Sequence, residues 1–322
     1  MRAVLVTRLD GPDAAQVAEV EDTQPSTGEV LIDVYAAGVC FPDLLLCRGQ
    51  YQIKPELPFI PGLEVAGTIR SAPQQTGLRP GNRVAAFSGF GGFAEQVCVD
   101  ARTVFKLPQH MSFLAGAALP LNYLTVHFAL TRRGRLQPGE TVLVQGAGGG
   151  IGTAAVQLAH VLGARVIAVV STPTKAEAAG RAGADEVIFA EGFRDAVTEL
   201  TAGRGVDVVV DPVGAARFID SLRCLAPEGR MLVVGFTSGE IPTVKVNRLL
   251  LNNIEVVGVG WGAFWLRQPE YLHQQWAQLL PHLEAGVLDP VLGCCYPLER
   301  ASAALRELDE RRAIGKIILQ VR

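Results

Sequence analysis

The chain has 322 residues and a formal charge of −3; 49% of its residues are apolar and 19% charged. This length accommodates two domains with their own cores, and the composition excludes disorder for most of the chain. The charge balance leaves no excess of cations to hold nucleic acid or an anionic membrane.

The first apolar run is interrupted by Arg8 and Asp10 and is too short for a secretory signal core. The first hundred residues then carry short apolar runs at 3–7, 30–39, 64–69, 83–87 and 94–99. Pro25, Gly28, Pro61, Gly62, Pro80 and Gly81 punctuate them, which predicts short strands in a barrel or sandwich. Two stretches, 107–131 and 141–164, lack charge and have the length of a membrane span. Pro108, Pro120, Asn122 and His127 interrupt the first and a glycine cluster the second, so both read as buried elements of a soluble fold.

After about residue 120 the pattern changes. Strands are predicted at 141–145, 165–170, 186–190, 206–211, 230–236 and 254–260, separated by segments long enough for crossover helices. Six such strands predict a doubly wound parallel sheet with helices on both faces. Helices are expected at 268–285 and 298–312, and a last strand, 315–321, is expected to return to the first sheet. Cys40, Cys47, Cys98, Cys224, Cys294 and Cys295 form no CxxC pair and read as reduced thiols of a cytoplasmic protein.

The strongest chemical signal is Gln145-Gly146-Ala147-Gly148-Gly149-Gly150-Ile151-Gly152, placed after a predicted strand and opening a helix. Glycines there allow a tight turn and close approach of a pyrophosphate to the N–H groups at the helix start. The spacing reads GxxGxxG through Gly146, Gly149 and Gly152, and also GxxxGxG through Gly146, Gly150 and Gly152. No tyrosine has a lysine four residues later, which removes the short-chain dehydrogenase reading. No Gly-Lys-Ser/Thr follows, which removes the nucleotide-hydrolase loop. At the end of the second strand stand Ser171, Thr172 and Lys175, with no acid. An acid there binds the ribose hydroxyls of NAD; hydroxyls and an ammonium suit the 2′-phosphate of NADPH. Ser171 could equally serve as the cap of the following helix.

The segments Ala37-Gly38-Val39-Cys40-Phe41-Pro42-Asp43, Arg48-Gly49-Gln50-Tyr51 and Leu57-Pro58-Phe59-Ile60-Pro61-Gly62-Leu63-Glu64-Val65-Ala66-Gly67 lie in the first domain. Together with Gly91-Gly92-Phe93-Ala94-Glu95, the loop at 146–152, Asp211-Pro212-Val213-Gly214 and Gly315-Lys316-Ile317, they resemble the medium-chain dehydrogenase/reductase superfamily. The branch they resemble is that of the zinc-free, zeta-crystallin-like NADPH:quinone oxidoreductases. The resemblance implies a GroES-like catalytic domain over 1–119 and 262–322 and a Rossmann NADPH-binding domain over 120–261. It also implies that Gly235 and Phe236, and Val259, Gly260 and Trp261, line the nicotinamide, and that Tyr51 and Cys40 line the catalytic cleft.

Zinc members of the superfamily use a cysteine, a Gly-His-Glu histidine and a third ligand. Here Cys40 stands at the first position, but Leu63 replaces the histidine before Glu64, so no metal site is expected. Without a Lewis acid, the acceptor of hydride must already be electrophilic, which points to a quinone or an α,β-unsaturated carbonyl. Relatives often carry Asn and Tyr where this chain has Cys40 and Leu45, which suggests a less polar acceptor. A zinc-free alcohol or aldehyde dehydrogenase, and a non-catalytic NADPH-binding redox sensor or structural partner, remain alternatives. The 254–260 strand is largely apolar and reads as a sheet edge, and the resemblance implies a homodimer paired through it.

Overall fold

A computed structural model describes residues 1–322. One unit comprises Met1–Leu121, Pro269–Glu284 and Leu292–Arg322; the other comprises Asn122–Gln268 and Ala285–Val291. The first begins with β1 (Arg2–Val6) paired antiparallel with β2 (Ala15–Glu19). Then come β3 (Glu29–Val39), α1 (Phe41–Cys47), β4 (Glu64–Ser71), β5 (Arg83–Phe87), β6 (Gln96–Asp100) and β7 (Val104–Lys106). Helix α2 (Phe113–Gly116) follows, α3 (Pro120–His127) begins in the first unit and runs into the second, and no helix of the chain is long and apolar enough to cross a membrane.

The second unit carries β8 (Thr141–Val144), α4 (Gly150–Val161), β9 (Arg165–Val170), α5 (Pro173–Arg181), β10 (Glu186–Phe189) and α6 (Phe193–Leu200). It continues with β11 (Val206–Asp211), α7 (Arg217–Arg223), β12 (Leu225–Val233), α8 (Asn247–Asn252), β13 (Glu255–Gly258) and α9 (Trp261–Trp265). All six strands are parallel, in the order β10-β9-β8-β11-β12-β13. The order reverses between β8 and β11, and the carboxyl ends of strands at such a switch point are where doubly wound sheets place ligands. Continuous apolar runs such as Val206–Asp211, buried at every position, suit strands covered on both faces. β13 stands last in the sheet, with Glu255, Val256 and Gly258 exposed.

The chain returns through α10 (Glu270–Glu284), β14 (Leu292–Pro297), α11 (Ala301–Asp309) and β15 (Lys316–Gln320). As expected, β15 joins the first sheet, whose order is β14-β15-β3-β4-β5-β7. β3 is its spine: it pairs with β4 on one edge, while β6 takes residues 29–33 and β15 residues 36–39 of the other. β3 is buried at most positions instead of alternating, so both faces of this strand are covered.

Several elements differ from expectation. β2, β7 and β14 and helix α1 are additional; each is short, and Phe41-Pro42 at the start of α1 disguises a helix whose first turn Asp43 caps. The strand predicted over 230–236 runs from Leu225 and ends at Val233, so Gly235 and Phe236 lie in the loop beyond it. The strand predicted over 254–260 ends at Gly258, which leaves Val259 and Gly260 in a turn and Trp261 at the start of α9.

Two glycines test this packing with opposite signs. A Cβ at Gly67, in β4, would lie 1.9 Å from the Asp33 carbonyl oxygen, at the irregularity in the β3–β4 register. Gly67→Ala is expected to lower stability by about 1–3 kcal/mol or more. Gly180, inside α5, has nothing within 4 Å of its added Cβ, and Gly180→Ala should raise stability by about 0.5–1 kcal/mol. Urea midpoints of the two variants should move in opposite directions.

Candidate functional site

The glycine loop leaves β8 at Gln145, whose N–H donates to Val210 O at 3.0 Å while its side chain donates to Ser221 Oγ at 3.0 Å. Ala147 N donates to Val169 O at 3.0 Å, so the loop is tied to the strands on both sides of β8. Gly146 has φ +60°, and a Cβ on Gly152 would stand 2.2 Å from Gly146 O. These two positions therefore require glycine: one for its backbone conformation, the other for close contact of helix and turn. Gly149 is the N-cap of α4 and carries no capping side chain, so no cap side chain occupies the N–H groups at the helix start. Gly150 and Ile151 form its first turn.

Beyond β9, Ser171 and Thr172 are exposed. Thr172, not Ser171, caps α5: its hydroxyl accepts from Lys175 N at 3.3 Å. Proline at the first helical position sets that register. Lys175 packs against the glycine loop so closely that a Cβ on Gly148 would lie 2.5 Å from its own Cβ. Burial, then the charge of Arg217, lowers the Lys175 ammonium from its ordinary value. Arg217, at the start of α7, is a second cation for this corner; sequence reading missed it because it lies more than forty residues away.

Asp211 ends β11, and its Oδ1 accepts from Val213 N at 2.8 Å and Gly214 N at 3.0 Å. It thus closes a turn rather than capping α7, and burial raises its carboxyl above the usual range. Val234 N, Thr237 N and Ser238 N bond carbonyls of Asp211, Pro212 and Val213, which places Gly235 and Phe236 over that turn. Gly214 leaves room for the Phe236 ring, 3.0 Å from where its Cβ would be. Val259 N donates to Val233 O at 3.0 Å, and Trp261 is buried with its ring 5.9 Å from that of Trp265. The loop glycines and the segments after β9, β11, β12 and β13 thus gather at the carboxyl ends of one sheet.

In the first unit a second group of polar side chains is buried. Lys316 Nζ donates to Cys40 Sγ at 3.1 Å and also to Glu64 Oε1; Cys40 Sγ donates to Glu64 Oε1 at 3.2 Å. Glu64 Oε2 accepts from Leu121 N at 2.6 Å, at the start of α3. Asp43 accepts from Cys40 N at 2.8 Å and Gly62 N at 2.9 Å, and burial pushes its carboxyl up to about 7 against those donors. Burial and then the Glu64 charge raise the Cys40 thiol well above its ordinary value, against the pull of Lys316. Burial alone would lower the Lys316 ammonium; Cys40 and Glu64 outweigh it and raise it. Tyr51 packs on the same core, and burial, then Cys40 and Asp43, keeps its hydroxyl protonated beyond the usual range.

Cys40 is therefore more than a small side chain in a wall, and Lys316 and Glu64 are the partners that sequence reading did not connect to it. The group does not suit zinc: Leu63 is apolar and buried, and an ammonium already sits on the thiol and the carboxylate.

Comparison with known proteins matches residues 26–109 to the alcohol dehydrogenase GroES-like domain and residues 150–285 to the zinc-binding dehydrogenase family. The quinone oxidoreductase-like protein 2 of Mus musculus is 38% identical over 325 residues, covering 100% of this chain and 92% of that protein. A structure from Mycobacterium abscessus, described as a probable oxidoreductase, has a TM-score of 0.92 at 44% identity, covering 100% of this chain and 99% of that one. A mycobacterial structure complexed with NADPH has a TM-score of 0.92 at 34% identity, with both chains fully covered.

Breaking the buried ion pair on one side only should be severe. Lys316→Met leaves Glu64 buried without its cation and is expected to lose about 3–5 kcal/mol. Adding Glu64→Gln, which keeps an oxygen for Leu121 N, should recover most of that loss. A double-mutant cycle from urea melts measures the recovery; purely additive losses would contradict the pairing.

Proposed function

Because the chain belongs to the quinone oxidoreductase-like medium-chain dehydrogenase/reductases, we propose that it is an NADPH-dependent reductase of a quinone or an α,β-unsaturated carbonyl that works without a metal ion. The observation that carries this reading is the corner formed by the glycine loop and Lys175, with the charge of Arg217 nearby and no acid at the end of β9. Backbone N–H groups at the start of α4 bind the pyrophosphate. Lys175, with Ser171 and Thr172 exposed beside it and the charge of Arg217 nearby, receives the 2′-phosphate. The backbone at Gly235–Phe236 and at Val259–Trp261 orients the nicotinamide, the source of hydride when bound. The mycobacterial structure complexed with NADPH supports the choice of cofactor.

What the first unit offers supports this class of acceptor. Lys316 provides a fixed positive charge, but a lysine ammonium is a hydrogen-bond donor and not a Lewis acid. Tyr51, which retains its proton, is the donor available to an acceptor oxygen. A substrate carbonyl that already conjugates with a quinone ring or a C=C bond needs little further polarisation. For such a reaction, alignment and exclusion of water supply most of the acceleration.

NADPH is expected to bind roughly tenfold to a hundredfold more tightly than NADH, the worth of a charge-assisted phosphate contact. Lys175→Ala should narrow that gap while leaving NADH binding nearly unchanged. Titration calorimetry measures both, and equal dissociation constants in the parent protein would sink the assignment. In steady-state assays, NADPH oxidation should be supported by members of a quinone panel or an enone panel, and chelators should leave the rate unchanged. Stoichiometric zinc whose removal abolishes turnover would overturn the metal-free reading.

A further inference from the structure

Cys40, Glu64 and Lys316 are 2%, 0% and 4% exposed and form a closed polar triangle. The Lys316 nitrogen lies 3.1 Å from the Cys40 sulfur, within the range at which positioned atoms react. Each belongs to a separately fixed element: Cys40 is the N-cap of α1, and Lys316 opens β15, which is paired with β3 through Ile317–Val39 and Ile318–Gly38. A Cβ on Gly38 would lie 2.6 Å from Glu64 Oε1 and 2.8 Å from Lys316 Cε, so the lysine stem reaches the thiol only across a glycine. The other buried thiols are different. Cys47 and Cys224 are pushed up to about 12 chiefly by burial, as burial also pushes Cys40 up, but no lysine amine stands against either sulfur.

We propose that hydrogen peroxide joins Cys40 and Lys316 through a single bridging oxygen, an S–O–N link that reductants reverse, making this pair a redox switch. The carboxylate completes the chemistry, because Glu64 Oε1 accepts hydrogen bonds from both the thiol and the ammonium and is the base that can take a proton from either. One thiol, one ammonium, one carboxylate and two molecules of hydrogen peroxide give one S–O–N link, one carboxylic acid and three waters. The S–H bond and two N–H bonds break, and one S–O and one O–N bond form. Four electrons pass to the two peroxide O–O bonds, and the ammonium's extra proton goes to Glu64. A direct S–N bond would require the two side chains to close most of their separation inside a packed interior; one intervening oxygen requires less movement. Bridging removes the positive charge of Lys316 and protonates Glu64, the group that holds Leu121 N at the start of α3. The modified state is therefore expected to differ in stability and activity, reversibly.

The test uses the full chain treated with hydrogen peroxide, digested with trypsin and read by high-resolution mass spectrometry. Cys40 lies in the peptide 9–48, and Lys316 in 313–322 once cleavage after Lys316 is blocked. The expected product is these two peptides linked, heavier than their sum by one oxygen less two hydrogens, with fragment ions placing the link at Cys40 rather than Cys47. Dithiothreitol should abolish it and restore cleavage after Lys316. Cys40→Ser and Lys316→Arg should each abolish it too, with folding checked by circular dichroism. Should neither variant fold, the parent digest alone decides. The proposal is overturned if Cys40 remains a free thiol, or is recovered as an unlinked sulfinic or sulfonic acid, while exposed Cys294 and Cys295 oxidise. A link lacking the oxygen overturns it as well.

Discussion

The first unit is organised around a carboxylate that cannot be buried alone. Glu64 has no solvent exposure, and the desolvation of such a group amounts to several kcal/mol unless a cation and good donors meet it. Lys316, Cys40 and Leu121 N supply them. Lys316 comes from the last strand of the chain, so β15 has to dock beside β3 before the charge at Glu64 is compensated. Gly38 leaves the space through which the lysine passes. One ion pair thus links the start of β4, the N-cap of α1, the start of α3 and the C-terminal strand.

The second unit solves a different problem with different means. Its proposed ligand-facing groups are mainly backbone: N–H groups at the start of α4 and turns tied down by bonds to neighbouring strands. Main-chain donors held by a parallel sheet need no side-chain ordering, and glycine permits close approach. Side-chain charge stands beside the glycine loop in Lys175, with the charge of Arg217 near it, and the proposed discrimination between cofactors rests on these two. The proposed phosphate site is thus built mainly from backbone, whereas the buried polar group of the first unit is built from side chains.

Seen together with the proposed metal-free reaction, the lysine takes a particular meaning. A cation tethered to the chain compensates a buried carboxylate and hydrogen-bonds a thiol, and in doing so occupies the atoms a metal would use. The same contact brings an amine against a sulfur, which gives the pair its proposed sensitivity to peroxide. Stability of the fold and reactivity of the thiol then have one origin.

What the sequence determined by itself was whatever is encoded within about thirty residues. Apolar runs such as VDVVVD, the alternation of strand and helix after residue 120, and a glycine cluster at a strand–helix junction are local patterns, and the six-stranded sheet and its loop follow from them. The return of β15 to the first sheet was legible because an apolar strand left over after a closed α/β unit has to pair elsewhere. The short elements β2, β7, β14 and α1 were not legible, since three to seven residues carry too little periodicity and tertiary pairing overrides propensity. The choice of Thr172 over Ser171 as the α5 cap turned on the exact register of one turn. The nearness of Arg217 to Lys175, and of Lys316 to Cys40 and Glu64, was decided by the tertiary structure alone. Charges far apart along a chain become partners only when strands bring them together, and no local pattern records which strand lies beside which.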